Sequence, residues 1–306
     1  MSLRLRLFTL VMRWLVRPLL AATKDPAQAR RDFNRMSRFL RVPPYLLHLI
    51  DPGRVPIHWI SVTSRSATWV ILYLHGGGYI TGSPQTHVGL AGRISKLTGL
   101  QVASVDYRLA PEHPAPAALE DAKAAHAMLM AKGYSPSQII LGGDSAGGGV
   151  ALALLADLCA RGAVPAGLFA FSPWTDLAMT GDSLSANEGH DPLLPVRRMP
   201  DLVQMVLDTM DPRDPRISPL YARFHLPPPV LLQVGSVEIL LDDSRRMADV
   251  LRQAGGRVQL SEWPGCPHVW QLLDGYLPEA RQALLEVRDF VAGLQVRPLT
   301  PLQDGS

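Results

Sequence analysis

A chain of 306 residues with 47% hydrophobic content suits one large α/β domain or two smaller ones and can bury a substantial core. Its 30 basic and 27 acidic residues leave a net charge of +3, too balanced for a nucleic-acid binder. The two cysteines, Cys159 and Cys266, make neither a disulfide framework nor a metal quartet, so a reducing, cytoplasmic compartment is expected.

In chain order, residues 1 to about 50 read as helical, with no strand signal. The first twenty carry Arg4, Arg6, Arg13 and Arg17 among Leu, Val, Phe and Trp14. Arg13 interrupts the longest apolar stretch, which argues against a secretory signal, and no segment reaches the ~20 apolar residues of a membrane span. Three readings stay open here: a helix packed on the domain, a basic amphipathic helix resting on a membrane surface, and a targeting peptide. From there β-rich runs at 55–63, 68–74, 101–107, 138–141, 168–172, 230–234 and 258–263 alternate with helical patterns at 89–98, 115–132, 148–161, 244–254 and 278–294. Strands alternating with helices predict a mostly parallel sheet covered on both faces. The stretch 175–216 breaks the rhythm with polar loops, Asp-Pro pairs and a short helix near 199–210. An insertion at that place is suited to be a lid, and with the N-terminal helices it would form a cap.

Gly143-Asp144-Ser145-Ala146-Gly147 lies between the strand at 138–141 and the helix at 148–161. A serine on a strand-to-helix turn, with glycine two residues to either side, is the arrangement of a nucleophile elbow. The hydroxyl needs a histidine to take its proton and an acid to orient that histidine. With an elbow of this kind the chain order is serine, acid, histidine. Only His190, His225 and His268 follow Ser145, and His268 lies in a Pro/Gly loop just after the last predicted strand, where the base must sit. Glu238 is the first carboxylate beyond the strand at 230–234. Asp242 is the alternative acid, although it and Asp243 suit the cap of the next helix. Donors for an oxyanion are expected from His75-Gly76-Gly77-Gly78, which follows a strand, and from the N–H of Ala146. No phosphate-binding glycine motif and no zinc spacing is present, so neither a cofactor nor a metal is expected.

Further stretches complete a pattern. They are Tyr79 after the glycines, Asp106-Tyr107-Arg108-Leu109-Ala110-Pro111-Glu112-His113-Pro114, Ser172-Pro173-Trp174-Thr175-Asp176-Leu177, and Asp214-Pro215-Arg216-Ile217-Ser218-Pro219-Leu220. Together with the elbow they resemble the bacterial hormone-sensitive lipase family of carboxylesterases, within the α/β-hydrolases, over about residues 70–268. The resemblance implies an eight-stranded, mostly parallel sheet flanked by helices. It also implies a helical cap built from residues 1–50 and an insertion at about 175–216, on a catalytic domain of 51–306. It implies Ser145 as nucleophile, His268 as base and an acid at position 238, where many members carry Asp and this chain has Glu. It favours Gly77 and Gly78 as oxyanion donors, with Gly76 as the alternative. The implied activity is hydrolysis of short- to medium-chain acyl esters through an acyl-enzyme. A lactone hydrolase or deacetylase with the same triad, and a non-catalytic ligand receptor on the same scaffold, are the alternatives. The small ester is the expected partner, and dimerisation through the last strand edge is a family habit. Asp106, Arg108 and Glu112 are expected to form an ion network behind the oxyanion loop. Asp144 is expected to brace the loops near His75 or Tyr79, and Tyr79, Trp174, Leu184, His190 and Leu193 are candidate pocket residues.

Overall fold

The computed structural model describes residues 1–62 and 68–295. Thr63, at the end of the expected early strand, and the tail 296–306 of the expected catalytic domain lie outside them. In chain order the elements are α1 (Leu3–Val11), running on through Met12–Val16 into α2 (Arg17–Ala22), α3 (Pro26–Ser37), β1 (Leu47–Asp51), β2 (Ile57–Ser61), β3 (Val70–Leu74), α4 (Val88–Thr98), β4 (Gln101–Val105), α5 (Ala117–Ala131), β5 (Ile139–Asp144), α6 (Ser145–Ala160), β6 (Gly167–Phe171), α7 (Ser183–Ala186), α8 (Met199–Leu207), β7 (Val230–Gly235), α9 (Leu241–Gln253), β8 (Val258–Trp263) and α10 (Pro278–Gln295). None of the described helices is long and apolar enough to cross a membrane.

The strands form one sheet in the order β1-β2-β4-β3-β5-β6-β7-β8. β2 runs antiparallel to both its neighbours, and every pairing from β4 to β8 is parallel. The period of two along buried strands explains the layering. Val70, Leu72 and Leu74 face one apolar cluster, with residues of α5, α6 and α9, while Ile71 and Tyr73 face the other, with α4 and α10. Leu168 and Ala170 divide from Phe169 and Phe171 in the same way. A third cluster joins Leu5 of α1 to Cys266, Trp270, Leu273 and Leu277.

The expectation of helix throughout residues 1–50 needs correction. Leu47–Asp51 is a strand, paired antiparallel with β2 from Leu47↔Ser61 to Asp51↔Ile57. It sits at the edge and half-exposes its apolar residues, so it lacks the buried alternation that marks an internal strand. Pairing across a short turn, not periodicity, makes it a strand.

Register decides where chemistry gathers. Leu74 of β3 lies beside Gly143 of β5, Phe171 of β6 beside Asp144, and Gly235 of β7 beside Trp263 of β8. The loops leaving the carboxyl ends of these three parallel pairs therefore meet at one edge of the sheet, which is where open α/β sheets bind ligands.

Candidate active site

The turn between β5 and α6 is tight. Ser145 has φ of +52°, a left-handed conformation that costs a non-glycine residue about 1–3 kcal/mol. The helix begins at the serine itself, three residues earlier than the sequence pattern suggests, and carries Gly147, Gly148 and Gly149 within its first turns. A Cβ on Gly147 would run into the carbonyl oxygens of Leu74 and His75, and one on Gly149 into that of Trp174. Close approach of backbone to the helix, rather than helix propensity, accounts for these glycines.

His268 Nε2 lies 2.8 Å from Ser145 Oγ, and His268 Nδ1 lies 2.7 Å from Glu238 Oε2. Serine, imidazole and carboxylate thus form one hydrogen-bonded row from three separate loops. Glu238 is fully buried. Its other oxygen, Oε1, accepts from the Gly235 N–H at 2.5 Å and from the Ser172 hydroxyl at 2.7 Å. Those donors let a carboxylate stay ionised away from water. Burial works against the charged imidazolium of His268, but the hydrogen bond and charge of Glu238 outweigh it and hold the histidine pKa above its ordinary 6.5.

Asp242, the alternative acid, is elsewhere. Its Oδ2 accepts the Ser183 N–H at 2.8 Å, and Arg245 approaches its other oxygen at 3.7 Å. Asp242 lies a helical turn past the strand end, inside α9, and so faces the root of the 182–191 segment rather than His268.

On the opposite side of Ser145, Gly77 and Gly78 have φ of +125° and +61°. Among the described residues no acceptor is found for either N–H. The Gly76 N–H is engaged, donating to Asp144 Oδ1 at 3.0 Å, which removes Gly76 as a donor to substrate. Ala146 lies in the first turn of α6, where N–H groups have no acceptor within the helix. The N–H groups of Gly77, Gly78 and Ala146 thus have no acceptor among the described residues.

A model of the alpha/beta hydrolase fold matches residues 71–272. A crystal structure of an esterase from the bacterial hormone-sensitive lipase family superposes with a TM-score of 0.90 at 38% identity, covering 96% of this chain and 99% of that one. The chain belongs to the bacterial hormone-sensitive lipase family. An acetyl-hydrolase of Streptomyces hygroscopicus is 39% identical over 246 residues, 80% of this chain and 81% of the relative. An esterase of Acinetobacter venetianus is 40% identical over 233 residues, 76% of this chain and 77% of the relative. Membership makes the protein a carboxylic ester hydrolase, and the receptor reading lapses with it.

Within this hormone-sensitive lipase framework several neighbours acquire definite tasks. Asp144 braces the loop at residues 75–78: it accepts from Tyr73 Oη at 2.7 Å as well as from Gly76, and His87 Nε2 stands 3.4 Å away. Burial opposes its charge, but His87 and these hydrogen bonds keep its pKa below the usual value. His75 is buried, its Nδ1 2.9 Å from the Gly76 carbonyl. Burial and the neighbouring His87 push its pKa down to about 3, and its ring stacks on Tyr107 at 4.2 Å. The expected ion network does not form as one unit. Arg108 pairs with Asp121 at 2.8 Å, and Glu112 pairs with Arg30 of α3 at 2.5 Å, so the latter bond ties the N-terminal helices to the loop after β4. Tyr79, Trp174 and Leu184 are core residues, whereas His190 is exposed.

The roles of two residues escaped the sequence reading. Ser172 donates to Glu238 and accepts the Val269 N–H at 3.2 Å, so one hydroxyl links the acid to the histidine loop. Its signal was positional: it directly follows β6, the strand next to the elbow strand. Asp243 is buried, and its Oδ2 accepts the N–H groups of Thr175 and Asp176 at 2.7 and 2.9 Å. Burial pushes its pKa up to about 7. It fastens the root of the 175–216 insertion to α9.

Proposed function

We propose that the protein hydrolyses short- to medium-chain carboxylic esters through an acyl-enzyme on Ser145. His268 takes the Ser145 proton as Oγ attacks the ester carbonyl, and Glu238 holds the imidazole with Nδ1–H towards itself and Nε2 free to accept. The Gly77, Gly78 and Ala146 N–H groups receive the charge on the carbonyl oxygen of the tetrahedral intermediate. Collapse expels the alcohol, which His268 protonates. Water, deprotonated by the same histidine, then attacks the acyl-enzyme and releases the acid, restoring Ser145. The observation that carries this reading is the Ser145–His268–Glu238 row.

Three points support a small acyl group. A Cβ on Gly78 would come within 3.1 Å of Leu202 Cδ2, so α8 of the cap insertion crowds the oxyanion side of the site. One relative is named an acetyl-hydrolase. The esterase EstE5, whose crystal was soaked in p-nitrophenyl butyrate, aligns with a TM-score of 0.91 at 31% identity over 97% of this chain and all of that one. A series of p-nitrophenyl esters tests it. kcat/KM should peak between acetate and hexanoate and fall at least about tenfold by the longest chains, a difference of about 1.4 kcal/mol in transition-state binding. A flat or rising profile would reject the acyl-size assignment, and absence of ester turnover with retained lactone turnover would move the substrate class.

The direction of the pH profile follows from His268. The base must be unprotonated to act, and Glu238 holds its pKa above 6.5 against burial. kcat/KM should therefore rise with pH along a single acid limb whose midpoint lies above 6.5, read from initial rates on an ester of constant ionisation. A midpoint below 6.5 would contradict the Glu238 effect.

A further inference from the structure

The continuous helix 3–22 leaves a largely apolar face to solvent. Two of its four arginines turn to the protein, while Arg4 and Arg6 stay exposed. Arg13 donates to the Gly189 and His190 carbonyls at 2.9 and 2.7 Å, and Arg17 donates to the Glu188 carbonyl at 2.7 Å. Leu5 alone of its residues is fully buried, and the chain start is pinned by the Ser2 N–H and hydroxyl to Glu279 at 2.6 and 3.0 Å. Apart from Arg6, the outward stripe is apolar: Leu3 (82% exposed), Leu7 (61%), Leu10, Val11, Trp14 (72%) and Leu15 (69%). Spaced by three and four residues, these side chains make one contiguous ridge. A patch of this kind marks an interaction surface.

Charge identifies the occupant. Residues 1–41 hold ten Lys and Arg against two Asp, a surplus of eight in a chain whose whole net charge is +3, so residues 42–306 carry −5. The surplus is continuous with the ridge. Tyr276 packs 5.8 Å from the Phe8 ring, donates to the Phe39 carbonyl at 2.7 Å and lies under the Arg41 guanidinium at 4.4 Å. Beside it opens a cleft of about 410 Å³ lined by Arg4, Arg93, Lys96 and Arg281, with Asp274 at its floor and ion-paired to Arg93 at 2.8 Å. Phe39, 76% exposed, stands at the same edge. Two copies of the chain meeting through this face would bring two strongly positive segments together. An anionic bilayer instead takes the apolar ridge among its acyl chains and the guanidinium groups at its phosphates, and exposed Trp and Phe suit that boundary.

We propose that the N-terminal helix lies along the surface of an anionic phospholipid membrane, with Leu3, Leu7, Leu10, Trp14 and Leu15 inserted and the Arg-lined cleft receiving lipid phosphate. The same helix holds the 188–190 carbonyls through Arg13 and Arg17. The cap segment above Glu238, bound to it by the Asn187 side chain at the Glu238 carbonyl (2.8 Å), thus stands next to the bilayer, on the path of a lipophilic ester leaving it.

Co-sedimentation of the full chain with vesicles tests this. The protein should pellet with phosphatidylcholine–phosphatidylglycerol vesicles at low ionic strength. It should pellet at least about tenfold less with phosphatidylcholine alone or at high salt. The double variant Leu7→Glu/Trp14→Glu should lose the association while hydrolysing a soluble ester at the wild-type rate. In case that variant misfolds, the intact protein gives an independent reading: anionic vesicles should shift tryptophan emission to the blue, and Trp14→Phe should remove the shift. No pelleting and no shift would overturn the proposal. So would a dimer in light scattering that the double variant dissociates, since the ridge would then be covered by a second copy. Pelleting with inorganic phosphate unable to compete supports lipid over free phosphate, and pelleting abolished by phosphate alone overturns the inserted ridge.

Discussion

Ser145→Ala is expected to lower kcat on short p-nitrophenyl esters by about 10⁶-fold, roughly 8 kcal/mol of transition-state stabilisation. The size of the effect follows from how the site is built. His268 and Glu238 have no reaction to serve without the hydroxyl, because the geometry hands its proton to Nε2 across 2.8 Å and nowhere else. The three act as one unit, so the loss is that of the whole unit and not one-third of it. What remains is the oxyanion side. The Gly77, Gly78 and Ala146 N–H groups are fixed by the positive φ angles of the glycines and by the start of α6, and removing Oγ does not move them. Residual acceleration of about 10³–10⁴ over water is therefore expected, with KM little changed. Fluorophosphonate labelling supplies a second readout, since the wild-type enzyme should gain the adduct on Ser145 and the variant should gain none. Turnover within tenfold of wild type in the purified variant would remove Ser145 from the nucleophile role.

Chain order reached much of this site because an elbow constrains its partners. Once Ser145 is placed between strand and helix, the base and acid must follow it at the ends of later parallel strands. The loops after β7 and β8 held Glu238 and His268 as the first suitable residues. Pattern was weaker wherever the contact is made by backbone. Gly76 and Gly77 are indistinguishable as letters, and only the bond from the Gly76 N–H to Asp144 separates a braced amide from a free one. Ser172 and Asp243 act through N–H groups of Val269, Thr175 and Asp176, distant in sequence and adjacent only once β6 and β7 pair. β1 was misread for a related reason. An edge strand wetted on both faces has no alternation to show, and its pairing partner alone defines it. The N-terminal helix presents the converse case: its pattern left open a packed helix, a membrane-surface helix and a targeting peptide, and Arg13 and Arg17 are spent on the carbonyls of residues 188–190. Periodicity reports that a helix has two faces, not which of them meets the protein.

Glu238→Gln is expected to lower kcat by about 10⁴-fold, some 5 kcal/mol, with the fold intact. A glutamine fills the same buried volume, and its carbonyl can still accept from Gly235 and Ser172 at the place of Oε1. Its amide then faces His268 Nδ1 with a donor. That pairs with a bare Nδ1, puts the imidazole proton on Nε2, and presents an N–H instead of a lone pair to Ser145 Oγ. The wrong tautomer, rather than lost packing, is the cause of the loss, and the pH profile separates the two. Glu238 is what raises the His268 pKa against burial, so with the charge gone the acid limb should move to lower pH, even below 6.5. A merely structural defect would scale the profile without moving it. Asp242→Asn is the control. It removes the charge of the alternative acid, whose contacts are the Ser183 N–H and Arg245, and should leave both rate and midpoint within a few-fold of wild type. The opposite pattern, with Asp242→Asn crippled and Glu238→Gln active, would transfer the acid's role four residues along the chain. It would require the loop after β7 to rearrange so that Asp242 displaced Glu238 from Gly235 and Ser172. The cost of leaving those two buried donors without a charged acceptor is what weighs against it.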